Sequence, residues 1–463
     1  MPMSTVTMLR ARRDDGVREK FVRSAASLGT AASLGTAEFA DWLAGRRLAH
    51  HFRVERVPFA QLDGWSFAPD TGNLAHRSGR FFTIEGISAE TGTAPFPHWE
   101  QPIIRQPEVG ILGLLAREFD GVLHFLMQAK MEPGNRNLLQ LSPTVQATRS
   151  NYTKVHRGAD VKYIDHFVRP GRGRILADVL QSEHGAWFLG KSNRNMIVET
   201  DEDVALDDDF CWLTLGQIGE LLRRDNVVNM DARTVLACVP TGQADEGALH
   251  SDLDLRSWFS GVRARQDVRV TRKPLAQVAD WVRGPSGIEH EDGRYFRVVG
   301  VSVEADSREV GGWSQPLIEP RGTGVTGFLT RRFGGVPHLL AHARMEAGLL
   351  DTVELAPTVQ YTPGNYAHLT GGLRPPFLDG VLAAEPARVR YEAVHSEEGG
   401  RFLNAESRYL FVEADESEAP LRPPPDFCWA TPAQLNELVQ HSRYVNVQAR
   451  TLLAVLNSGA VTL

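Results

Sequence analysis

Residues 128–152 read QAKMEPGNRNLLQLSPTVQATRSNY, and residues 342–366 read HARMEAGLLDTVELAPTVQYTPGNY. Aligned at a shift of 214 residues, the two stretches agree at about half of their positions. The agreement continues outward through four further pairs: VERVPFAQLDGW (54–65) with VTRKPLAQVADW (270–281), HWEQPII (98–104) with GWSQPLI (312–318), DFCW (209–212) with DFCW (426–429), and NVVNMDARTVLA (226–237) with RYVNVQARTLLA (443–454). A unit of about 200 residues is too long for a solenoid repeat. The chain therefore carries one whole domain twice.

The boundaries of the two copies follow from this alignment. Residues 1–36 contain the doublet AASLGT-AASLGT and are expected to form an N-terminal tail that is mobile or weakly helical. We predict a first copy at 37–240, a linker at 241–252 and a second copy at 253–463.

Composition limits the classes of function. A net charge of −7 argues against a nucleic-acid binder that relies on a basic surface. No apolar run approaches the roughly 18 residues that a membrane span needs. The three cysteines form no CxxC pair, which favours a reducing cytoplasm. We expect a cytoplasmic protein with neither a nucleic-acid nor a membrane partner.

Each copy is predicted to be α+β, with mixed sheets flanked by helices. The segment 110–132 indicates two strands around a turn at Asp120-Gly121, and Gly334-Gly335 is the matching turn. Helices are expected near the end of each copy. Thr214 with Gln217, and Thr431 with Gln434, form capping boxes, and Asp231 is a candidate cap for the following helix.

Polar and apolar residues alternate along the quoted stretches, which predicts strands with one polar face. In the first copy this face carries Lys130, Glu132, Gln140, Ser142, Thr144, Gln146 and Thr148. Such a face can simply lie in water, as it does on many half-exposed sheets. The chemistry-rich loops that follow (132–137 and 148–156) favour a ligand site instead.

Several common catalytic motifs are missing from the sequence. It contains no GxGxxG before a helix with an acidic partner, no P-loop, no GxSxG and no HExxH. His338 and His342 are four residues apart, but the first copy has Gln128 at the second of these positions. Two ordinary polar positions therefore explain the pair better than a metal site does, and we expect no metal.

AKMEPGN (129–135), SPTVQATRSNY (142–152), WSQPL (313–317) and the paired DFCW motifs resemble the NDP-hexose 2,3-dehydratases, which serve deoxysugar pathways of bacterial natural products such as antibiotics. The resemblance covers nearly the whole chain after residue 37. It implies two tandem Nudix-like domains, a homodimer, and two nucleotide-sugar pockets per chain, one of them catalytic. The usual substrate of the family is dTDP-4-keto-6-deoxy-glucose. The acidic Nudix box that binds metal is absent here.

The implied chemistry needs no cofactor. The carbonyl at sugar carbon 4 acidifies the hydrogen on carbon 3, and a base removes it to leave an enolate. An acid then helps the 2-hydroxyl to leave. The resulting enol becomes a 3,4-diketo-2,6-dideoxy sugar, which we expect a 3-ketoreductase to consume.

Differences between the copies indicate which pocket works. From the first to the second copy, Asn135 becomes Leu349, Arg149 becomes Pro363 and His156 becomes Thr370. The first copy is richer in proton-transfer and anion-binding groups, so we expect it to hold the catalytic pocket. Two sites with divided labour, or residues of both halves meeting at a dimer interface, are open alternatives.

Candidate roles follow. Tyr152 or His156 is the candidate base or acid, unless each is an ordinary loop residue. Lys130 is expected to neutralise the enolate or a phosphate, and Glu132 to act as a base or to pair with Lys130. The candidates for substrate binding are Trp65, Trp99, Asn135, Thr144, Gln146, Thr148, Arg149, Ser150, Asn151 and Lys154. The second pocket is expected to use Trp281, Trp313, Arg344, Glu346, Gln360, Asn365 and Tyr366. A nucleotide-sugar hydrolase and a non-catalytic nucleotide-sugar binder are the competing classes.

Overall fold

The computed structural model describes residues 16–92, 95–148, 161–169, 171–240, 247–306 and 311–463. The strands of the first copy are β1 (Phe52–Val57), β2 (Trp65–Phe67), β3 (Leu74–His76), β4 (Thr83–Glu90), β5 (His98–Arg105), β6 (Gly110–Phe119), β7 (Val122–Met131), β8 (Leu139–Ser142), β9 (Val145–Ala147), β10 (Arg174–Ser182), β11 (Ser192–Glu199) and β12 (Phe210–Thr214). Those of the second copy are β13 (Arg269–Lys273), β14 (Trp281–Arg283), β15 (Ile288–His290), β16 (Phe296–Ala305), β17 (Gly312–Pro320), β18 (Gly324–Phe333), β19 (Val336–Met345), β20 (Val353–Ala356), β21 (Val359–Tyr361), β22 (Val389–Ser396), β23 (Glu406–Glu413) and β24 (Phe427–Ala430).

The helices lie at the start, in the middle and near the end of the copies. The α-helices are Val17–Ala26, Phe39–Ala49, Asp165–Val168, Leu215–Leu222, Met230–Leu236, Asp252–Arg265, Leu378–Leu382, Pro432–Val439 and Val447–Asn457. Short 3₁₀ helices are Phe59–Gln61, Leu275–Gln277, Pro363–Tyr366, Gly371–Leu373 and Pro386–Arg388. Among the described residues, no helix is long and apolar enough to cross a membrane.

Each copy contains a seven-stranded sheet in which the order is the same. In the first copy it is β10-β11-β6-β7-β12, with β8 against β7 and β9 against β6. The pair β11–β6 is parallel, whereas β6–β7 and β10–β11 are antiparallel. The second copy repeats this with β22, β23, β18, β19 and β24. The expected α+β class is confirmed, since each copy combines helices with mixed and antiparallel sheets.

The two five-stranded sheets exchange their first strands. Strand β1 of the first copy pairs antiparallel with β16 of the second, from Phe52↔Ala305 to Val57↔Gly300. In return, β13 of the second copy pairs with β4 of the first, from Arg269↔Glu90 to Lys273↔Gly86. The copies are therefore interlocked, and the division at 37–240 and 253–463 stays a prediction about sequence units.

Turns and caps follow the local sequence closely. The turn between β6 and β7 places Asp120 and Gly121 at φ 49° and 78°, which suits a short polar residue followed by glycine. Both capping boxes, at Thr214 and Thr431, are present. The helix Met230–Leu236 is capped by Asn229, whose Oδ1 accepts from Ala232 N at 2.8 Å. Asp231 is therefore not the cap, because it lies inside the helix.

Two buried arginines join the copies at their centre. Arg233 donates from Nη2 to Ser396 O, and Arg450 donates from Nη2 to Ser182 O, each at 2.5 Å. Both side chains are fully buried. A guanidinium removed from water needs all of its N–H groups satisfied, so this reciprocal pair fixes the relation of one copy to the other.

The N-terminal segment, for which the sequence predicts a mobile or weakly helical tail, contains the helix Val17–Ala26 and packs against the first copy. Phe21 is fully buried and stacks on Phe125 with 6.0 Å between ring centroids. Lys20 Nζ lies 2.5 Å from Glu199 Oε1. The helix Val17–Ala26 thus covers one side of the large sheet, because its apolar residues complete that core.

Candidate active site

A cavity of about 1080 Å³ lies between the two copies. One wall is the large sheet of the first copy, with Lys130, Glu132 and Gln146. The opposite wall comes from the second copy, through residues 312–315 and 398–401. Residues of both halves of the chain therefore line this one cavity.

Interlocked loops hold the second-copy wall in place. Gly134 N donates to Gly399 O, and Asn404 N donates to Gly134 O, each at 2.7 Å. A Cβ on Gly134 would lie 1.7 Å from Phe402 O, so only glycine fits this approach. The loop 132–137 of the first copy is thereby fixed beside residues 398–404 of the second.

Glu132 is held by amide groups. Gln146 Nε2 donates to Glu132 Oε1 at 2.7 Å, while Asn135 Nδ2 and Asn229 Nδ2 approach Glu132 Oε2 at 3.4 Å each. The carboxylate is buried, with 3% of its surface exposed. These contacts orient Glu132 within the floor of the cavity.

Among the described residues, four cationic side chains line the cavity: Arg80, Lys130, Lys191 and Arg401. Lys130 Nζ donates to Gln146 O at 3.3 Å. Burial lowers the pKa of Lys191, whose ammonium donates to Glu108 O. The Arg401 guanidinium lies 4.3 Å from the centre of the Phe82 ring. Cations at this density suit a phosphorylated ligand.

Asp231 is a candidate that sequence reasoning missed. It lines the cavity, is 3% exposed, and within the described residues no hydrogen-bond donor contacts its Oδ1. Burial raises its pKa well above the ordinary value, and the nearby carboxyls of Glu398, Glu183 and Glu132 raise it further. A signal was available, because the matched position in the second copy is Gln448.

Glu398 is the second missed carboxyl, and the second copy supplies it. Burial raises its pKa to about 7, although Arg401 opposes this shift. Glu183 and Glu132 add to the rise. The first copy has His184 at the matched position, so comparison of the two copies would have singled out Glu398 as well.

The tryptophans need one correction. Trp65 lines the cavity, and its Nε1 donates to Ser314 O of the second copy at 2.7 Å. Trp313, which the sequence analysis assigned to the second pocket, lines this first cavity. Trp99, which it assigned to the first pocket, packs against a cluster formed by Ile87, Ala89 and Ile103 with Ala347 of the second copy. Each of these two tryptophans lies away from its own copy's pocket because β5 and β17 each extend to the opposite copy.

The other first-pocket candidates divide into three groups. Gln146 and Thr148 line the cavity, and Asn135 is buried beneath it on Glu132. Thr144 instead joins two strands, since its hydroxyl donates to Leu126 O at 2.5 Å and accepts from Leu115 N at 2.9 Å. The remaining candidates lie outside the described residues: Arg149, Ser150, Asn151, Tyr152, Lys154 and His156.

In the second copy, the matched polar residues contact one another. The Arg344 guanidinium lies 4.6 Å from the centre of the Tyr361 ring, and its Nε is 3.3 Å from Glu346 Oε1. Gln360 Nε2 donates to the same Glu346 oxygen at 2.7 Å. Tyr366 packs edge-on against Tyr361, with 5.0 Å between centroids. These side chains contact one another at the positions that match Lys130, Glu132 and Gln146 of the first cavity.

Two further residues of that predicted pocket form structural bonds. Asn365 Oδ1 accepts from Tyr295 N at 3.0 Å, and Trp281 Nε1 donates to Glu100 O at 2.9 Å. His342 stacks on Phe427 at 4.2 Å, and burial lowers its pKa to about 3. This histidine is a neutral side chain packed against an aromatic ring, in keeping with the ordinary polar position expected from the sequence.

Comparison with known proteins gives a consistent result. The family model for NDP-hexose 2,3-dehydratase matches residues 36–239 and 252–456. A dTDP-4-dehydro-6-deoxy-alpha-D-glucopyranose 2,3-dehydratase of Amycolatopsis orientalis is 57% identical over 98% of this chain and 97% of its own. Enzymes of the same name from Saccharopolyspora spinosa and Streptomyces violaceoruber are 52% and 51% identical, covering 95% and 91% of this chain and 94% and 97% of their own. The chain belongs to the NDP-hexose 2,3-dehydratase family.

Proposed function

We propose that this chain is a hydro-lyase that removes the 2-hydroxyl of dTDP-4-keto-6-deoxy-D-glucose and gives a 3,4-diketo-2,6-dideoxy sugar nucleotide. The observation that carries the proposal is the cavity between the copies, which combines cations, an indole and buried carboxyl groups. The high identity to relatives that bear this activity in their names supports it.

The substrate has parts that match these groups. Its diphosphate needs cations, for which Arg80, Lys130 and Arg401 are available. Its thymine and sugar present flat or apolar faces, for which Trp65 and Trp313 are available. The arrangement therefore suits a nucleotide sugar with its reacting carbons near the buried carboxyl groups.

The reaction requires one group that removes a proton and one that supplies a proton. Removal of the carbon 3 proton leaves an enolate, which a nearby ammonium such as Lys130 stabilises. Protonation of the departing 2-hydroxyl releases water. Tyr152, His156 and Glu132 are the proton-transfer candidates that the sequence suggests, and Arg149, Ser150, Asn151 and Lys154 remain candidates for substrate binding.

Finer aspects of the proposal come from the family. We propose that each copy is Nudix-like, that the chain forms a homodimer in the cytoplasm, and that its diketo product passes to a 3-ketoreductase. The product carries two adjacent carbonyls and is chemically reactive, so prompt reduction would protect it.

The test is incubation with dTDP-4-keto-6-deoxy-glucose in deuterium oxide, with a chelator, a 3-ketoreductase and NADPH, followed by NMR. Loss of the 2-hydroxyl with deuterium at carbon 2 is the expected result. Unchanged sugar despite measurable binding would refute the proposal in favour of a non-catalytic binder. Nucleotide monophosphate that appears only when magnesium is restored would favour a hydrolase.

A further inference from the structure

Three ionisable residues of the first cavity are matched by uncharged residues at the equivalent positions of the other copy. Asp231 corresponds to Gln448, Lys191 to Ala405 and Arg401 to Trp187. A duplicated fold that needed these groups only for stability would have kept them in both copies. Their restriction to one cavity points to chemistry rather than to folding.

We propose that Asp231 of the first copy and Glu398 of the second are the proton-transfer pair of this cavity. Glu398 removes the proton from sugar carbon 3, and Asp231 protonates the departing 2-hydroxyl. This assignment rests on the dehydration proposed above and names the groups that perform it.

The burial of Asp231 carries the first half of the assignment. Its carboxyl lines the cavity and is 3% exposed, and in the described part of the chain its Oδ1 has no donor. A buried carboxyl oxygen without a partner is costly unless a ligand or a proton satisfies it. The substrate hydroxyl is a group that can satisfy it.

The position of Glu398 carries the second half. Its Oε1 lies 2.7 Å from the place of a Cβ on Gly400, and Glu132 Oε1 lies 3.9 Å from that place. The two carboxyl groups therefore flank Gly400, at the point where the loops of both copies meet. The hydrogen bond from Gly134 N to Gly399 O holds Glu398 there.

Charged groups surround both carboxyl groups and shift their pKa values. Glu183 and Glu132 face both carboxyls, Lys130 faces Asp231, and Lys191 with Arg401 faces Glu398. Burial and these carboxylates raise the pKa of Asp231 well above its ordinary range and raise that of Glu398 to about 7. A carboxyl whose pKa is raised well above its ordinary value is suited to hold the proton that an acid supplies, and one with a pKa of about 7 can ionise near neutral pH and act as a base.

The step balances without another reactant. Glu398 takes the carbon 3 proton, and the C–H electron pair enters the enolate with the carbon 4 oxygen. When the enolate collapses, a double bond forms between carbons 2 and 3, the carbon 2–oxygen bond breaks, and the Asp231 proton leaves with the oxygen as water. The enol then loses its O–H proton and gains one at carbon 2.

The test compares Asp231→Asn, Glu398→Gln and the matched second-copy control Gln448→Asn. Each is assayed in deuterium oxide with the ketoreductase trap, and unreacted substrate is examined for deuterium at carbon 3. Both carboxyl variants should lose turnover by about 100-fold or more. Asp231→Asn should still exchange the carbon 3 hydrogen, whereas Glu398→Gln should not. Gln448→Asn should match the wild type.

Calorimetric titration with dTDP shows whether each variant is folded, and a variant that binds dTDP as the wild type does is a fair test. Near-wild-type turnover in either carboxyl variant overturns the assignment, as does exchange that survives in Glu398→Gln. If a variant fails to bind dTDP, the pH dependence of kcat/KM of the wild type is the deciding measurement. We expect kcat/KM to fall below a pH of about 7 as Glu398 is protonated. A flat profile from pH 5 to 9 overturns the assignment of the pair. A wild type that does not dehydrate the sugar refutes instead the proposed function.

Discussion

Replacing Gly134 with alanine should damage both stability and activity, whereas the same change at Gly348 should damage stability alone. The added Cβ would lie 1.7 Å from Phe402 O in the first case and 1.8 Å from Phe188 O in the second. Neither contact can be relieved by moving a side chain, because the obstacle is backbone.

The expected loss in the free energy of unfolding follows from the contacts that the added methyl group disrupts. Forcing an extra methyl into a filled site costs about 1–3 kcal/mol. Gly134 also loses its bonds with Gly399 O and Asn404 N, at about 1 kcal/mol each. We therefore expect a loss of roughly 3–5 kcal/mol in the free energy of unfolding. Gly348 makes the matching bonds with Gly185 O and Gly190 N, so its loss should be similar.

Activity separates the two variants, because Gly134 holds the loop that carries Glu398. Urea unfolding and trapped turnover, both at a temperature where each variant is folded, are the measurements. Gly380→Ala is the control, since its Cβ would meet nothing within 4 Å on the helix Leu378–Leu382. Equal loss of activity in Gly134→Ala and Gly348→Ala would refute the reasoning, as would wild-type stability in either.

Three further changes follow from the structure. Burial alone would lower the pKa of His184, but the Glu183 carboxyl 3.9 Å away and a hydrogen bond with Glu397 raise it to about 9. The stabilisation from charged His184 is full below about pH 6.5 and is lost as pH rises through 9, so His184→Gln should remove about 3 kcal/mol of pH-dependent stability in unfolding curves. Trp313→Ala should weaken dTDP binding about tenfold in titration calorimetry, whereas Trp99→Ala, which lies away from the first cavity, should not. Thr144→Val should lower the free energy of unfolding by about 1–3 kcal/mol and leave KM unchanged, and a raised KM would restore it as a binding residue.

Local structure was readable from the sequence because local interactions determine it. The turn at Asp120-Gly121 needs a polar residue and a glycine at positive φ, and both are visible in the sequence. The capping box at Thr214 is likewise set by residues three positions apart. Alternation correctly indicated the strand β7, where Lys130 and the residue just after the strand, Glu132, both line the cavity.

Partners across the sheets could not be read in the same way. Strand β1 and strand β13 are alike in sequence, so each has two nearly equivalent edges to pair with, at β4 and at β16. No local pattern distinguishes them. The same limit misplaced Trp99 and Trp313, whose assignment depends on where β5 and β17 extend.

Asp231 was missed for a different reason. Its place within NMDARTVL favours a helix start, and a carboxylate near a helix start is usually a cap. Asn229 two residues earlier takes that role, which leaves Asp231 available to the cavity. Comparison of the copies position by position would have found it, because Gln448 stands in its place.

The exchanged strands also bear on how such a chain can change over time. In an assembly of two identical chains, one substitution alters both sites at once, so neither site can specialise. Covalent connection of the two copies removes that constraint. The strands β1 and β13 still make each half dependent on the other, because a half without its partner would have a sheet with an unpaired edge. One half is thus free to lose its reactive groups and to persist as the supplier of a wall, a carboxyl group and a strand.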